Sequence, residues 1–314
     1  MTDTLNIRDG VPLSARAFVP GHITGLFRIF DDSKNPLECG STGAGFSVEI
    51  GTFTTVSITE KNSLDITTIY NDKRINAEVT KTVVRRLAED YERTFKIVVR
   101  HDSSLPSGVG FGASGAGALG TALALSHILD HALNPIDAAK YAHSAEIVHH
   151  TGLGDVIAQT YGGFEIRVRH GSPGIGEVVN VPLPPELQIV LAGSPGLKTR
   201  DVLTSSKSRE KINAVGDKLV DRMNVRRDLD TFIACSREFT EAIGLETKRV
   251  RKALDELDAL GLNRSSMVML GDSVFCFCNV KQVELAENVL GSYWKRSQVK
   301  TTSISNEGGR LVSW

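Results

Sequence analysis

Alternating apolar and polar positions in the first half of the chain predict strands, and apolar residues recurring every three or four positions predict helices between them. FSVEIGTFTTVSI (46–58) and TFKIVVR (94–100) read as strands, with helices over about 78–92, 114–131 and 135–150. The third helix has a marked start. Asn134 can cap it, Pro135 suits its first turn, and Asp137 favours the positive end of the helix dipole. Glycines and prolines cluster in YGGFEIRVRHGSPGIGE (161–177) and again in VPLPPELQIVLAG, so a domain boundary is expected near residue 170. Beyond it, amphipathic helices are expected over about 208–224, 228–243 and 246–260, then strands near 266–279, a helix near 281–294 and a last strand from 298. Acid and base alternate at pairing distances in RVRKALDELDAL, which marks a solvated helix face. The pattern is α+β. A chain of 314 residues exceeds the size at which one core stops growing, so two domains, 1–170 and 171–314, are expected with the site in the cleft between them.

Composition narrows the class without setting the function. With 41% hydrophobic and 23% charged residues the chain is ordinary globular protein, and no apolar run reaches the length of a membrane span. MTDTLNIRDGVPLSARAF has neither the basic start nor the apolar centre of an export signal, so the cytoplasm is expected. A net charge of −1 and the lack of a basic stripe argue against nucleic acid. Cys39, Cys235, Cys276 and Cys278 form no CxxC pair and are expected as reduced thiols. In VFCFC, strand periodicity puts Cys276 and Cys278 on one face and Phe275 and Phe277 on the other, as buried core.

The most informative stretch is LPSGVGFGASGAG (105–117), a loop feeding the small-residue helix ALGTALALSHIL. Glycines at 108, 110 and 112 let backbone N–H groups approach an anion, and the unpaired donors of the next helix favour negative charge there. Three spaced glycines alone are a weak signal; the proline, the serine and the following helix strengthen it. Neither the Walker pattern nor the protein-kinase catalytic loop is present. The segment resembles the phosphate loop of the GHMP kinases, the superfamily of galactokinase, homoserine kinase, mevalonate kinase and phosphomevalonate kinase. Phe111 and Ala113 depart from the pattern mildly.

That resemblance implies a two-domain GHMP kinase fold with a ribosomal-protein-like N-terminal domain, and ATP and Mg²⁺ as cofactors. It implies that Pro106, Ser107, Gly108, Gly110, Gly112, Ala113, Ser114 and Gly115 hold the nucleotide phosphates, with Ser114 ligating Mg²⁺. Downstream, Glu146, Gly-Leu-Gly-Asp155 and Gly162-Gly163 resemble the superfamily's acidic constellation. By position Glu146 is the second Mg²⁺ ligand and Asp155 the acid facing the attacking hydroxyl. The division of labour is physically sound: one carboxylate holds the metal while another orients or deprotonates the nucleophile. Two other chemistries compete. His143, Glu146 and His150 share a helical face and could take a transition metal, and Ser114, Asp155 and His170 stand in the order of a hydrolase triad. The HExxH spacing is absent and a long loop precedes Ser114, which weighs against both.

VPGHITGLF (19–27) occupies the place of the superfamily's first motif, with His22 where many members have lysine. Together with GSTGAGF (40–46) and SPGLKTRDVL (194–203), it resembles the archaeal pantoate kinases over essentially the whole chain. The superfamily's C-terminal glycine motif is reduced to LGDSVF (270–275). This resemblance implies that the small-molecule substrate is pantoate, phosphorylated on its primary hydroxyl to 4-phosphopantoate for coenzyme A synthesis. Its carboxylate calls for an arginine, Arg167 ahead of Arg200, with His22, His143 and Thr199 as further substrate contacts. Homodimerisation is an expectation from frequency and family. Another small-molecule kinase of the same fold and a non-catalytic binding module are the rival readings.

Overall fold

The computed structural model describes residues 13–130, 133–196 and 199–313. Residues 1–12, where most of the run read for an export signal falls, lie outside it, as do Leu197 and Lys198 of the SPGLKTR segment. The chain opens with β1 (Leu13–Phe30) and β2 (Gly40–Glu60), followed by β3 (Asp65–Tyr70), the short β4 (Lys73–Arg74), helix α1 (Glu78–Asp90) and β5 (Phe95–Ser103). Three helices follow, α2 (Ala113–Leu129), α3 (Pro135–His149) and α4 (Asp155–Tyr161), then β6 (Phe164–Arg169) and β7 (Glu177–Val181). The second half holds β8 (Gln188–Ser194), α5 (Thr199–Leu203), α6 (Ser206–Val225), α7 (Leu229–Ile243) and α8 (Lys248–Ala259). It ends with β9 (Ser265–Met267), β10 (Asp272–Cys278), α9 (Val283–Gly291), β11 (Val299–Ser303) and β12 (Arg310–Leu311). The α+β class and the expected helices are as read from the sequence. Asn134 caps α3 by accepting from the Asp137 N–H at 2.9 Å, a contact of about 1 kcal/mol.

The first sheet runs β12-β1-β2-β5-β3-β4, with β6 and β7 branching from β2. The branch follows from the length of β2: Thr52–Glu60 pair with β5, whereas Gly43–Phe46 pair with β6. Register shifts at Pro20/Gly21 and Thr24/Leu26 bend β1 where it passes the glycine-rich loop before α2, whose Phe111 carbonyl accepts from the His22 N–H. The second sheet, β11-β8-β10-β9, is antiparallel throughout. The position expected for a boundary, near 170, falls between β6 and β7, yet these strands pair inside the first sheet, with Phe164 opposite Val181. By sheet membership the change comes after Val181, and the C-terminal β12 returns to the edge of β1.

One aromatic cluster joins the two halves. Phe46 of β2 packs edge-on against Phe275 and Phe277 of β10, at 5.2 and 4.7 Å between ring centres, and Phe232 of α7 closes the group. Cys276 and Cys278 lie on the opposite face of β10, also buried, so VFCFC is core on both faces. Apart from His127 and Ile128, helix α2 is built of Gly, Ala, Leu, Ser and Thr, and it is buried nearly all round, so its small side chains let β1, β2, α1 and α3 crowd onto it. This packing fixes the helix start that follows the glycine-rich loop.

Candidate active site

Gly108, Gly110 and Gly112 all have left-handed backbone, at φ 77°, 83° and 69°. An L side chain rarely adopts that conformation, so the turn needs glycine there. Gly112 is the N-cap of α2 and gives it no side-chain cap, which leaves the first N–H groups of a 17-residue buried helix aimed at the loop's concave side. A cavity of about 380 Å³ opens there. Its walls include Pro106, Ser107, Ser114, Asp155, Arg167, Thr199 and Arg200. A second cavity of similar volume lies across the loop, walled by Tyr70, Ile75, the start of α1 and His101. Both share Ser107, Ala113 and Ser114.

Ser114 Oγ donates to Glu146 Oε1 at 2.6 Å, and Thr151 Oγ1 donates to the same oxygen at 2.7 Å. Glu146 Oε2 is buried with no hydrogen-bond partner among the described residues. Burial lifts the Glu146 pKa to about 7, against the two hydroxyl donors, and nearby Asp155 adds to the rise. A buried acceptor left without a donor costs about 1–3 kcal/mol, so this oxygen is suited to a cation. A Cβ at Gly152 would stand 2.4 Å from Glu146 Oε2 and 3.2 Å from Asp155 Oδ2, so only glycine lets the two carboxylates share that corner.

Asp155 opens α4 and reaches the cavity wall. Its Oδ1 lies 2.8 Å from His22 Nδ1, and His22 Nε2 lies 3.1 Å from Glu165 Oε1. Burial alone would lower the His22 pKa, but the Glu165 charge and hydrogen bonds to Asp155 and Glu165 outweigh it, and the pKa is raised. Arg167 is fully buried, pairs through Nη1 with Glu165, and has no partner for Nε or Nη2 among the described residues.

Comparison with known proteins gives this geometry a context. The family described as GHMP kinases N terminal domain matches residues 78–163, from the start of α1 to the start of β6. The pantoate kinase of Thermococcus kodakarensis is 36% identical over 282 residues, covering 88% of this chain and 91% of that protein. The pantoate kinase of Methanocaldococcus jannaschii is 31% identical over 276 residues, covering 87% and 96%. The chain belongs to the pantoate kinase family. Among solved structures, a phosphotransferase related to the CoA biosynthesis pathway superposes with TM-score 0.86 at 31% identity, covering 96% of this chain and 99% of that one. A homoserine kinase from Cytophaga hutchinsonii, at TM-score 0.70 and 17% identity over 95% and 97% of the two chains, shares the fold. As a member of the pantoate kinase family the chain is a kinase enzyme of the GHMP fold.

Against that family background the expected residues divide into three groups. Pro106, Ser107, Gly108, Gly110, Gly112, Ala113, Ser114, Asp155, Arg167, Thr199 and Arg200 come together around the first cavity. Glu146 stands just behind, reaching it through Ser114. Gly115 does not line the first cavity: a Cβ there would meet Gln159 Oε1 at 2.6 Å, so it serves the contact of α2 with α4. His22 and His143, expected as substrate contacts, are not in the wall. His22 is fully buried behind Asp155, with both ring nitrogens engaged by carboxylates. His143 is buried against the β1–β2 connection, where Nε2 bonds the Cys39 carbonyl at 2.9 Å and burial lowers its pKa to about 4.

The competing chemistries find no geometry. No three His, Cys, Asp or Glu side chains converge on a metal-sized point among the described residues, and the His170 ring stacks on Phe30 at 4.0 Å between centres. The far walls of the first cavity come from the motifs VPGHITGLF, GSTGAGF and LGDSVF, but sequence reasoning named none of their lining residues Thr24, Phe27, Ser41 and Leu270, nor Met269, and it missed the whole second cavity. It also missed Glu165. The signal was present in FEIRVR, where Glu165 and Arg167 alternate onto one face of a strand paired with glycine-rich β2.

The residues fit a Mg²⁺ ion: Ser114 Oγ and Glu146 are hard oxygen donors, and Mg²⁺ characteristically takes one or two carboxylates and completes its shell with water and phosphate. Among the described residues no helix is long and apolar enough to cross a membrane.

Proposed function

We propose that this chain transfers the γ-phosphoryl group of ATP to the primary hydroxyl of pantoate, giving 4-phosphopantoate and ADP. The carrying observation is the arrangement of two cavities joined at Ser107, Ala113 and Ser114, with a buried, unpartnered arginine fork on one side and an aspartate between. The phosphate loop and the N-terminus of α2 receive the triphosphate; the second cavity takes the base and ribose. Arg167 Nε and Nη2 receive the carboxylate of the hydroxy acid, a geometry guanidinium suits and ammonium does not. Phe27, Met269 and Leu270 supply an apolar wall for its branched carbon.

Asp155 then faces the hydroxyl. The hydroxyl oxygen attacks the γ-phosphorus, the bond to the β,γ-bridging oxygen breaks, ADP leaves with that electron pair, and the hydroxyl proton passes to Asp155. Mg²⁺ held by Ser114 and Glu146 would neutralise charge on the phosphate oxygens. Because the transition state is loose, holding the two substrates in line contributes more than full deprotonation of the hydroxyl. The cytoplasm, where ATP is available, is the proposed compartment; the buried free thiols suit it.

The test is ADP release with ATP and Mg²⁺ against pantoate, mevalonate, homoserine and galactose, run beside Asp155→Asn. Turnover confined to pantoate, and reduced about a hundredfold or more in a folded Asp155→Asn protein, is expected. Turnover on another acceptor would replace the substrate. Wild-type rates in Asp155→Asn would remove that residue from the chemistry.

A further inference from the structure

Glu165, which has no direct part in the phosphoryl transfer, stands at the centre of a chain of side chains that ends on Asp155 and Arg167. Asp155 Oδ1 meets His22 Nδ1 at 2.8 Å, His22 Nε2 meets Glu165 Oε1 at 3.1 Å, and Arg167 Nη1 donates to that same Oε1. His22, Glu165 and Arg167 are fully buried, while Asp155 and Arg167, the two ends, reach the first cavity. Room for the chain is built in from β2: a Cβ at Gly45 would stand 2.7 Å from His22 Nε2 and 3.1 Å from Glu165 Oε1. Each ring nitrogen of His22 faces a carboxyl oxygen; an ionised carboxylate only accepts, so with both acids ionised both nitrogens donate and the ring is an imidazolium.

We propose that Glu165 is a positioning residue that sets both substrate-facing groups through one oxygen. It holds His22 so that its other nitrogen fixes Asp155, and it holds the Arg167 guanidinium in the wall of the cavity. The proposal rests on the phosphorylation reading for what occupies the cavity. Its consequence is coupling: the group that meets the hydroxyl and the group that meets the carboxylate are spaced by the same atom, as a small hydroxy acid with its two functional ends a few bonds apart requires. A buried acid serving only to neutralise a buried arginine would predict lost stability and unchanged kinetics per folded molecule.

The experiment is Glu165→Gln, which keeps shape and an acceptor oxygen but removes the charge. In the folded variant kcat is expected to fall about tenfold or more and pantoate KM to rise about tenfold, the loss of charge assistance in one buried hydrogen bond on each side. The KM for ATP is expected within about twofold of wild type. A folded variant in which either kcat or the pantoate KM stays at the wild-type value overturns the coupling. Should Glu165→Gln fail to fold, nitrogen NMR of the His22 ring in the wild-type protein decides: both nitrogens protonated at neutral pH is expected, and a neutral ring overturns the proposal. Wild-type protein that phosphorylates no pantoate would instead sink the substrate reading, leaving the His22 ring result to stand by itself.

Discussion

Ser114 and Glu146, 32 residues apart, meet at 2.6 Å through the serine hydroxyl and one carboxylate oxygen, while the other carboxylate oxygen is buried with no partner among the described residues. The pair joins the start of α2 to the end of α3, and its free oxygen shares the corner at Gly152 with Asp155. Glu146→Gln is therefore expected to fold, since it removes a charge that burial disfavours, but to lose most turnover and to need more Mg²⁺ for half-maximal rate. A Mg²⁺ titration of initial rates checks this. An unchanged Mg²⁺ requirement in a variant that still turns over would take Glu146 out of the metal site.

Arg167→Lys is expected to raise pantoate KM by about tenfold to a hundredfold with little change for ATP, because a lysine can neutralise Glu165 but cannot also present two donors to a carboxylate. Alanine is the poorer probe here: it would leave the fully buried Glu165 without its cation. Arg200 is exposed at the cavity mouth, so Arg200→Ala is expected to change pantoate KM by less. If steady-state kinetics show the reverse order, Arg200 holds the carboxylate.

The elements that the sequence made legible are those whose signals are local. Asn134-Pro135 and Asp137 mark the start of α3, and the glycines before Ala113 mark the turn into α2, because capping and positive φ depend on a few adjacent residues. The order Ser114, Glu146, Asp155 was legible by resemblance. What was not legible depends on pairing over long distances. Nothing within VPGHITGLF says that His22 will turn inward onto Glu165, 143 residues later, since that follows from β1, β2 and β6 sharing one sheet. His143 misled for the same reason: its one-turn offset from Glu146 looked functional, but the β1–β2 connection had already claimed it through the Cys39 carbonyl. The boundary near 170 was drawn from turn residues, which β6 and β7 use to make a hairpin within one sheet.

Leu270 holds φ 67° in the turn between β9 and β10 while lining the first cavity, a conformation that costs a leucine about 1–2 kcal/mol. Both Leu270→Gly and Leu270→Ala remove the apolar side chain from the cavity, so both are expected to raise pantoate KM alike. Only glycine relieves the backbone. Thermal or urea unfolding is thus expected to rank the glycine variant more stable than the alanine variant by about 1 kcal/mol, the reverse of the order at an ordinary buried position. Alanine ranking above glycine would mean that the turn carries no strain.

His101 sits buried between two hydroxyls, Nδ1 at 2.9 Å from Thr54 Oγ1 and Nε2 at 3.1 Å from Thr80 Oγ1, and burial lowers its pKa to about 4 from the ordinary 6.5. The folded protein therefore resists taking up a proton that the unfolded chain accepts. Stability from this group is fully present above pH 6.5 and is lost as pH falls from there towards about 4, by at most about 3 kcal/mol at 1.4 kcal/mol per unit. His143 acts in the same direction and Glu146 in the opposite one, so the contribution is read as a difference between two proteins. Asparagine keeps a polar partner for one threonine and does not titrate. Unfolding free energies of wild type and His101→Asn, measured from pH 7.5 to 4.5, are expected to converge as pH falls, with wild type taking up close to one more proton on unfolding near pH 5. Parallel curves would mean that the His101 ring titrates alike in the folded and the unfolded protein, so that burial between the two threonines does not depress its pKa.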